Sequence, residues 1–239
     1  QLRSQLSEIL KDSVKHHMLS DVEVGAFLSG GVDSGYLASA SGADQAFTVG
    51  FDEGDRYSEV NKAAKVAEKA GLKHHVKIIS KQEFWDALPD VMYHMDEPLA
   101  DASAVALYFL SKEAAGHVKV VLSGEGADEL FGGYNIYREP ESLKKIAWIP
   151  FGVRRVIGKL AAKLPDVKGR DFLIRAGMKV EERFIGNAYI YCEKEKAQIL
   201  KNKVTGPSTQ EYLRPFFKEL ESENRGSLRD MEKMQSVDL

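Results

Sequence analysis

Val22-Glu23-Val24-Gly25-Ala26-Phe27-Leu28 runs directly into Ser29-Gly30-Gly31-Val32-Asp33-Ser34. The first seven residues read as a short buried strand, and a helical pattern begins at Tyr36 to Ala40. Strand, glycine turn and helix in that order place the turn at a helix N-terminus, where free N–H groups point outward. Two adjacent glycines let the backbone approach an anion closely, and Ser29 and Ser34 add hydroxyl donors. The loop is not G-x-x-x-x-G-K-[ST], because the spacing differs and the lysine is absent. Asp33 would repel a phosphate unless a cation sits between them, so the loop predicts Mg2+. The alternative is a plain glycine turn capped by serine, which does not call for two glycines, Asp and Ser in this order.

Outward from this stretch, strand and helix signals alternate. Leu2, Leu6, Leu10, Val14 and Met18 recur every four residues and predict an opening amphipathic helix. Ala46 to Val49 reads as a second strand. Val60, Ala63, Ala64 and Ala67 mark a helix that Gly71 caps. His75 to Ile79 reads as a third strand. Ser80 and Glu83 form a capping-box pattern for a helix that Pro89 is expected to break or restart. Ala104 to Ala115 is helical in pattern, and Val118 to Leu122 is a near-continuous apolar run such as parallel strands use. The fold class that follows is α/β, a doubly wound parallel sheet with right-handed crossovers. Ligands in such sheets bind at the carboxyl ends of strands, where strand order reverses. If the first three strands march outward and the fourth returns beside the first, the loops after the first and fourth strands face one crevice.

The loop after the fourth strand is Ser123-Gly124-Glu125-Gly126-Ala127-Asp128-Glu129. Three carboxylates in five residues repel one another unless a metal or cationic ligand intervenes. A solvated acidic loop is the alternative. It weakens where the loop follows a buried strand.

The remaining features bound the reading. The chain has 239 residues, 44% of them hydrophobic and 29% charged, with a formal net charge of -3. That size allows one core with a helical appendage, and the charge supplies no field to recruit nucleic acid. No apolar run approaches the roughly 18 residues of a membrane span, and the N-terminus lacks signal-peptide layout. Cys192 is the single cysteine, so no internal disulfide is expected and a cytoplasmic setting fits. Cys192 itself is read as a small apolar residue. The histidines show no zinc spacing and are read as structural or surface residues. Phe84, Trp85 and Met92 are read as one helix core face. Beyond Pro140 no strand signal appears, and residues 141–239 are expected to be a mainly helical extension of an α/β domain spanning 1–140. From Glu141 to Arg170 there are eight Lys or Arg against two acidic residues, read as a solvated helical face.

The two loops together carry a family resemblance. Ser29–Ser34 resembles the S-G-G-x-D-S pyrophosphate-binding loop of ATP pyrophosphatases, with the Rossmann-like fold of that superfamily. Ser123–Glu129 followed by Leu130-Phe131-Gly132-Gly133-Tyr134 is similar to the glutamine-hydrolysing asparagine synthetases. So are Thr48-Val49-Gly50-Phe51, His74-His75, and Asp96-Glu97-Pro98 with Asp101 and Ser103. The resemblance implies ATP-dependent amidation of L-aspartate through a β-aspartyl-adenylate, with release of AMP and pyrophosphate. It implies that Ser29, Gly30, Gly31 and Ser34 hold the pyrophosphate portion of ATP. Asp33 and Asp128 would share Mg2+. The backbones at Phe27 and Val49 would contact adenine or ribose, and Ser123 and Gly124 would line the nucleotide. Glu125 would be catalytic, touching aspartate or taking a proton from the incoming ammonia.

The implied partners are aspartate, ATP, ammonia, a glutaminase domain of the same parent chain, and a possible second copy in a homodimer. Two departures stand out. Gly35 occupies a position where the family often has a second hydroxyl residue. The sequence starts at Gln1 rather than a nucleophilic cysteine and stops at Val237-Asp238-Leu239, which implies a fragment without its glutaminase domain and without a lysine- and methionine-containing closing segment. The alternatives are another amide- or ring-forming ATP pyrophosphatase, such as a β-lactam synthetase relative, and a nucleotide-binding module without catalysis.

Overall fold

The computed structural model describes residues 2–52, 59–96, 99, 101–187, 191, 193–201, 206–223 and 227–239. By packing, the chain divides into two units, Gln1–Glu125 and Gly126–Leu239. Glu97, Pro98 and Cys192, singled out in the sequence, lie outside the described residues.

Alternation along one strand sets the layers of the first unit. Its strands are β1 (Val24–Phe27), β2 (Gln45–Phe51), β3 (Lys73–Ile79) and β4 (Val120–Leu122). They pair in parallel in the order β3-β2-β1-β4. Three strands therefore march outward and the fourth returns beside the first, which meets the condition that the sequence left open. Helices α1 (Leu2–His17), α2 (Val32–Ser41), α3 (Val60–Ala70), α4 (Lys81–His94) and α5 (Ser103–Ala115) complete the unit. Neighbouring side chains on a strand point to opposite faces. Ala46 of β2 accordingly packs with Ala26, Leu28, Ala38, Ala63 and Ala67, the side covered by α2 and α3. Phe47, the next residue, packs with Ala114 and Val118 at the end of α5. The sheet is covered on both faces, as a doubly wound fold demands.

Local chemistry sets the helix ends. Gly71 caps α3 in the left-handed region at φ 70°, donating to Ala67 and Glu68 carbonyls. Ser80 accepts from the Glu83 N–H, and Glu83 accepts from the Ser80 N–H, completing the capping box of α4. Lys77 donates to the same carboxylate at 2.6 Å. These contacts hold the Glu83 carboxyl down at about 2, the Lys77 hydrogen bond contributing most.

Two expectations are corrected in α4. The helix continues through Pro89 to His94 instead of breaking there. Pro89 sits on the exposed face, and the carbonyl that loses its donor belongs to Trp85, itself 58% exposed, so water can satisfy it. Trp85 is therefore not part of the core face. Phe84, Leu88 and Met92 pack around Ala87 and Val91, while Trp85 lies edge-on to Phe84 at 5.5 Å.

Among its described residues the second unit holds helices and no strand. They are α6 (Ala127–Phe131), α7 (Glu139–Leu143), α8 (Phe151–Ala161), α9 (Arg170–Ala176), α10 (Val180–Arg183), α11 (Glu193–Ile199), α12 (Thr209–Glu223) and α13 (Asp230–Asp238). Tyr137, Val180, Phe184, Phe217 and Met234 form its core. The Tyr137 hydroxyl donates to Asp238 Oδ2 at 2.6 Å, and burial together with that carboxylate pushes the phenol well above its ordinary pKa. Glu139 is nearly buried between Arg175 and Arg183, and Arg183 also reaches Asp230 at 2.7 Å. A charge so placed needs such partners to offset desolvation. None of the described helices is long and apolar enough to cross a membrane.

Candidate active site

β1 ends at Phe27, and the chain enters the first glycine-rich loop under tight control. The Leu28 N–H donates to the Phe47 carbonyl at 2.9 Å. The Leu28 carbonyl accepts from Thr48 Oγ1 at 2.6 Å, and Thr48 Oγ1 lies 2.7 Å from His74 Nε2. The single hydroxyl proton of Thr48 goes to Leu28, so His74 Nε2 carries a proton and donates. Burial lowers the His74 pKa, consistent with a neutral ring in that role. Thr48 and His74, which the sequence offers only as parts of short motifs, thus anchor the backbone immediately before Ser29.

The loop itself folds around Ser34, only 9% exposed. Ser34 Oγ accepts from the Ser29 N–H at 3.2 Å and lies 2.9 Å from Ser29 Oγ, which in turn accepts from the Gly31 N–H at 3.3 Å. Gly30 takes φ 80°, and a Cβ there would meet Lys62 Cβ at 2.7 Å and the Ala63 nitrogen at 2.8 Å. Only glycine fits that turn. Gly31 is the N-cap of α2 and offers no side-chain cap, so the first N–H groups of this ten-residue helix are left for a ligand or water. Asp33 projects from the first turn, exposed and without an ion pair to any described residue. Gly35 requires nothing of glycine: the nearest atom outside its own helix is Val66 Cγ1 of α3, 3.8 Å from where a Cβ would stand.

The second loop begins at the end of β4, the strand beside β1. Ser123 Oγ accepts from the Glu125 N–H at 3.4 Å. A Cβ on Gly124 would stand 3.1 Å from the Ser34 nitrogen and 3.4 Å from Asp33 Cβ. Gly124 therefore lies directly against the first turn of α2. The structure brings Ser29, Gly30, Gly31, Asp33, Ser34, Ser123 and Gly124 together at the point where strand order reverses. Phe27 and Val49, both half-buried, lie toward the carboxyl ends of β1 and β2. Glu125 is exposed at the end of the first unit.

Asp128 belongs to the second unit, in the first turn of the short helix α6. Its carboxylate packs on Gly133, where a Cβ would collide with Oδ1. Gly132 ends α6 at φ 69°, and Tyr134 donates to Glu129 Oε1 at 2.8 Å. The glycines and tyrosine after the acidic loop thus shape α6 and seat Asp128 and Glu129. Gln235 Nε2 donates to the Glu129 carbonyl at 2.8 Å, a contact across the sequence that no local pattern announces. Asp101 accepts from the Ser103 N–H at 2.9 Å at the start of α5, which holds its carboxyl below the ordinary range.

The donor set fits a nucleotide's phosphates with a divalent cation: uncapped helix N–H groups, serine hydroxyls, a glycine against which no side chain intrudes, and an exposed carboxylate. Comparison with known proteins identifies the family. Residues 5–239 match the family model for asparagine synthase. The chain is 42% identical to "Asparagine synthetase [glutamine-hydrolyzing] 1" of Bacillus subtilis, over the whole chain and 38% of that protein. It is 45% identical to "Putative asparagine synthetase [glutamine-hydrolyzing]" of Mycobacterium tuberculosis H37Rv, over 82% of the chain and 31% of that protein. It is 32% identical to "Asparagine synthetase B [glutamine-hydrolyzing]" of Escherichia coli K12, over 60% of the chain and 29% of that protein. The chain thus spans well under half the length of these relatives. With both glycine-rich loops in place and the match running through both units, the chain belongs to the asparagine synthase family.

Proposed function

We propose that the protein carrying this chain amidates L-aspartate at the expense of ATP, giving L-asparagine, AMP and pyrophosphate, with ammonia drawn from glutamine by a glutaminase domain. The observation that carries the reading is the contact of Gly124 with the first turn of α2, which places two serine- and glycine-rich loops at one strand-order reversal. In this reading the free N–H groups of α2, with Ser29 and Ser34, hold the phosphates that leave as pyrophosphate. Gly30 and Gly31 let the backbone approach them. Backbone groups at Phe27 and Val49 bind adenine or ribose, and Ser123 and Gly124 line the nucleotide.

The aspartate side-chain carboxylate attacks the α-phosphorus, and pyrophosphate departs. Ammonia then attacks the acyl carbon of the β-aspartyl-adenylate, and AMP leaves. Glu125 takes the proton that the nitrogen sheds, which is general-base work. Asp33 and Asp128 are the carboxylates proposed for Mg2+. When bound, Mg2+ supplies neutralisation of the charge that builds on the pyrophosphate.

The test is a product assay with ATP, Mg2+, ammonia and L-aspartate. AMP and pyrophosphate should appear in step with asparagine. ADP as the main aspartate-dependent product overturns the reading. A different acid that replaces aspartate moves the protein to another branch of ATP pyrophosphatases.

A further inference from the structure

Three side chains from separate parts of the first unit converge near the amino-terminal ends of the strands. His75 is the third residue of β3, Glu113 lies in the last turn of α5, and His117 follows in the turn before β4. One ligand atom from each lies within 4.8 Å of the other two. The two imidazole centroids are 4.0 Å apart, and His117 Nε2 is 3.6 Å from Glu113 Oε1.

The ring of His75 is held on two sides. Register sets it opposite Phe47, and the two rings stack at 5.1 Å. Gln45, two residues before Phe47 and so on the same face, lies 2.9 Å from His75 Nε2 through its Oε1. The amide orientation of Gln45 is set by its own Nε2, which donates to Glu23 Oε1 at 2.6 Å. Oε1 can only accept, so His75 Nε2 carries the proton and Nδ1 keeps the lone pair. An imidazole fixed by an acceptor on one nitrogen, with the other left basic, is how metal-ligating histidines are oriented.

We propose that His75, Glu113 and His117 form a binding site for a divalent transition-metal ion, Zn2+ in particular, at the opposite end of the strands from the glycine-rich loops. Two imidazoles and one carboxylate are a zinc ligand set with a fourth position open to water. Mg2+ prefers oxygen ligands and octahedral geometry, so this site does not compete with the nucleotide loops for it. Bonds of about 2.0–2.2 Å require the ligand atoms to draw closer than they stand. The side chains of His117 and Glu113, 35% and 33% exposed, have room to do so while His75 stays fixed. A bound ion ties β3 to the junction of α5 and β4, and so stabilises the first unit by mass action. The inference does not rest on the proposed function, since neither ATP nor aspartate takes part.

The experiment strips the purified protein with EDTA and titrates it with Co2+ as a spectroscopic probe, then with Zn2+ by calorimetry. The probe should give the intense visible bands of tetrahedral Co2+, and Zn2+ should displace it. The double variant Glu113→Gln/His117→Ala removes two ligands at half-exposed positions and should weaken Zn2+ binding at least about 100-fold. Zn2+ should raise the thermal midpoint of the parent protein and not of the variant. A His16→Ala/His17→Ala variant, altered on the exposed end of α1, should bind as the parent does. Octahedral Co2+ only, Zn2+ affinity unchanged in the Glu113→Gln/His117→Ala variant, or loss of binding in the α1 variant overturns the site.

Discussion

Gly124 rests against Ser34: a Cβ on Gly124 would stand 3.1 Å from the Ser34 backbone nitrogen, closer than ordinary packing allows. The contact ties the loop after β4 to the first turn of α2. Its effect is steric, because Gly124 does not adopt a positive φ. Gly124→Ala should push the second loop off α2 by a few tenths of an ångström while leaving the core intact. Small misplacement of binding groups is costly in rate, so asparagine formation should fall by roughly 10- to 100-fold with near-normal urea unfolding. Unchanged kinetics would show that the spacing of the two loops is not critical.

Gly35→Ala is the counterpart. Gly35 lies inside α2 with no neighbour closer than 3.8 Å to a built Cβ, so alanine fits. The substitution should stabilise the protein by up to about 1 kcal/mol through helix propensity and a less flexible unfolded chain. Equilibrium urea unfolding measures this, and a destabilised variant would mean that the backbone here needs glycine's freedom.

Asp33→Asn should lower Mg2+-dependent turnover far more than stability. The carboxylate is exposed and makes no ion pair with a described residue, so the fold loses little without its charge. Turnover across a Mg2+ titration, set beside a thermal melt, separates the two effects. A variant that fails to fold would make Asp33 structural.

Glu125→Gln keeps size but cannot accept a proton. ATP binding should change by less than a factor of ten, about 1.4 kcal/mol, because the phosphate donors are elsewhere. Asparagine formation should fall by roughly 10²–10⁴. Aspartate-dependent exchange of pyrophosphate into ATP locates the step. Exchange retained assigns Glu125 to ammonia attack, and exchange lost assigns it to adenylate formation. Near-normal asparagine formation removes Glu125 from the chemistry.

Glu83 supplies an acid-stability prediction. Its folded-state pKa, held at about 2 by Lys77 and Ser80, lies below the ordinary 4.5. The unfolded chain therefore binds the proton first as pH drops. Stability from this group is fully present above pH 4.5 and is lost as pH falls towards 2. Glu83→Gln should flatten that part of the stability profile. Urea midpoints across the window measure it, and parallel profiles for parent and variant would show that Glu83 does not contribute.

Much of the first unit is written locally. Gly71, Ser80 and Glu83 cap helices through contacts within a few residues, so short-range chemistry marks those ends in the sequence. Pro89 misleads because a proline's effect depends on whether the carbonyl it frees can reach water, which is a matter of exposure. Trp85 misleads for a related reason: one residue from Phe84 is a turn of about 100° on a helix, enough to leave the core.

Sequence alone determined the α/β class and the two glycine-rich loops, because alternation, capping and the conformational freedom of glycine act over a few residues; the strand order, only a condition in the sequence, was set by long-range strand pairing. Tertiary structure decided what touches what. Thr48 and His74 anchor Leu28 across neighbouring strands, Gly124 meets Ser34, and Tyr137 finds Asp238 near the far end of the chain. His75, Glu113 and His117 lack zinc spacing in the sequence, yet parallel strand register and the return of β4 draw them into one cluster. Such pairings depend on how helices and strands stack against one another, and a spacing along the chain carries no record of a distance across the core.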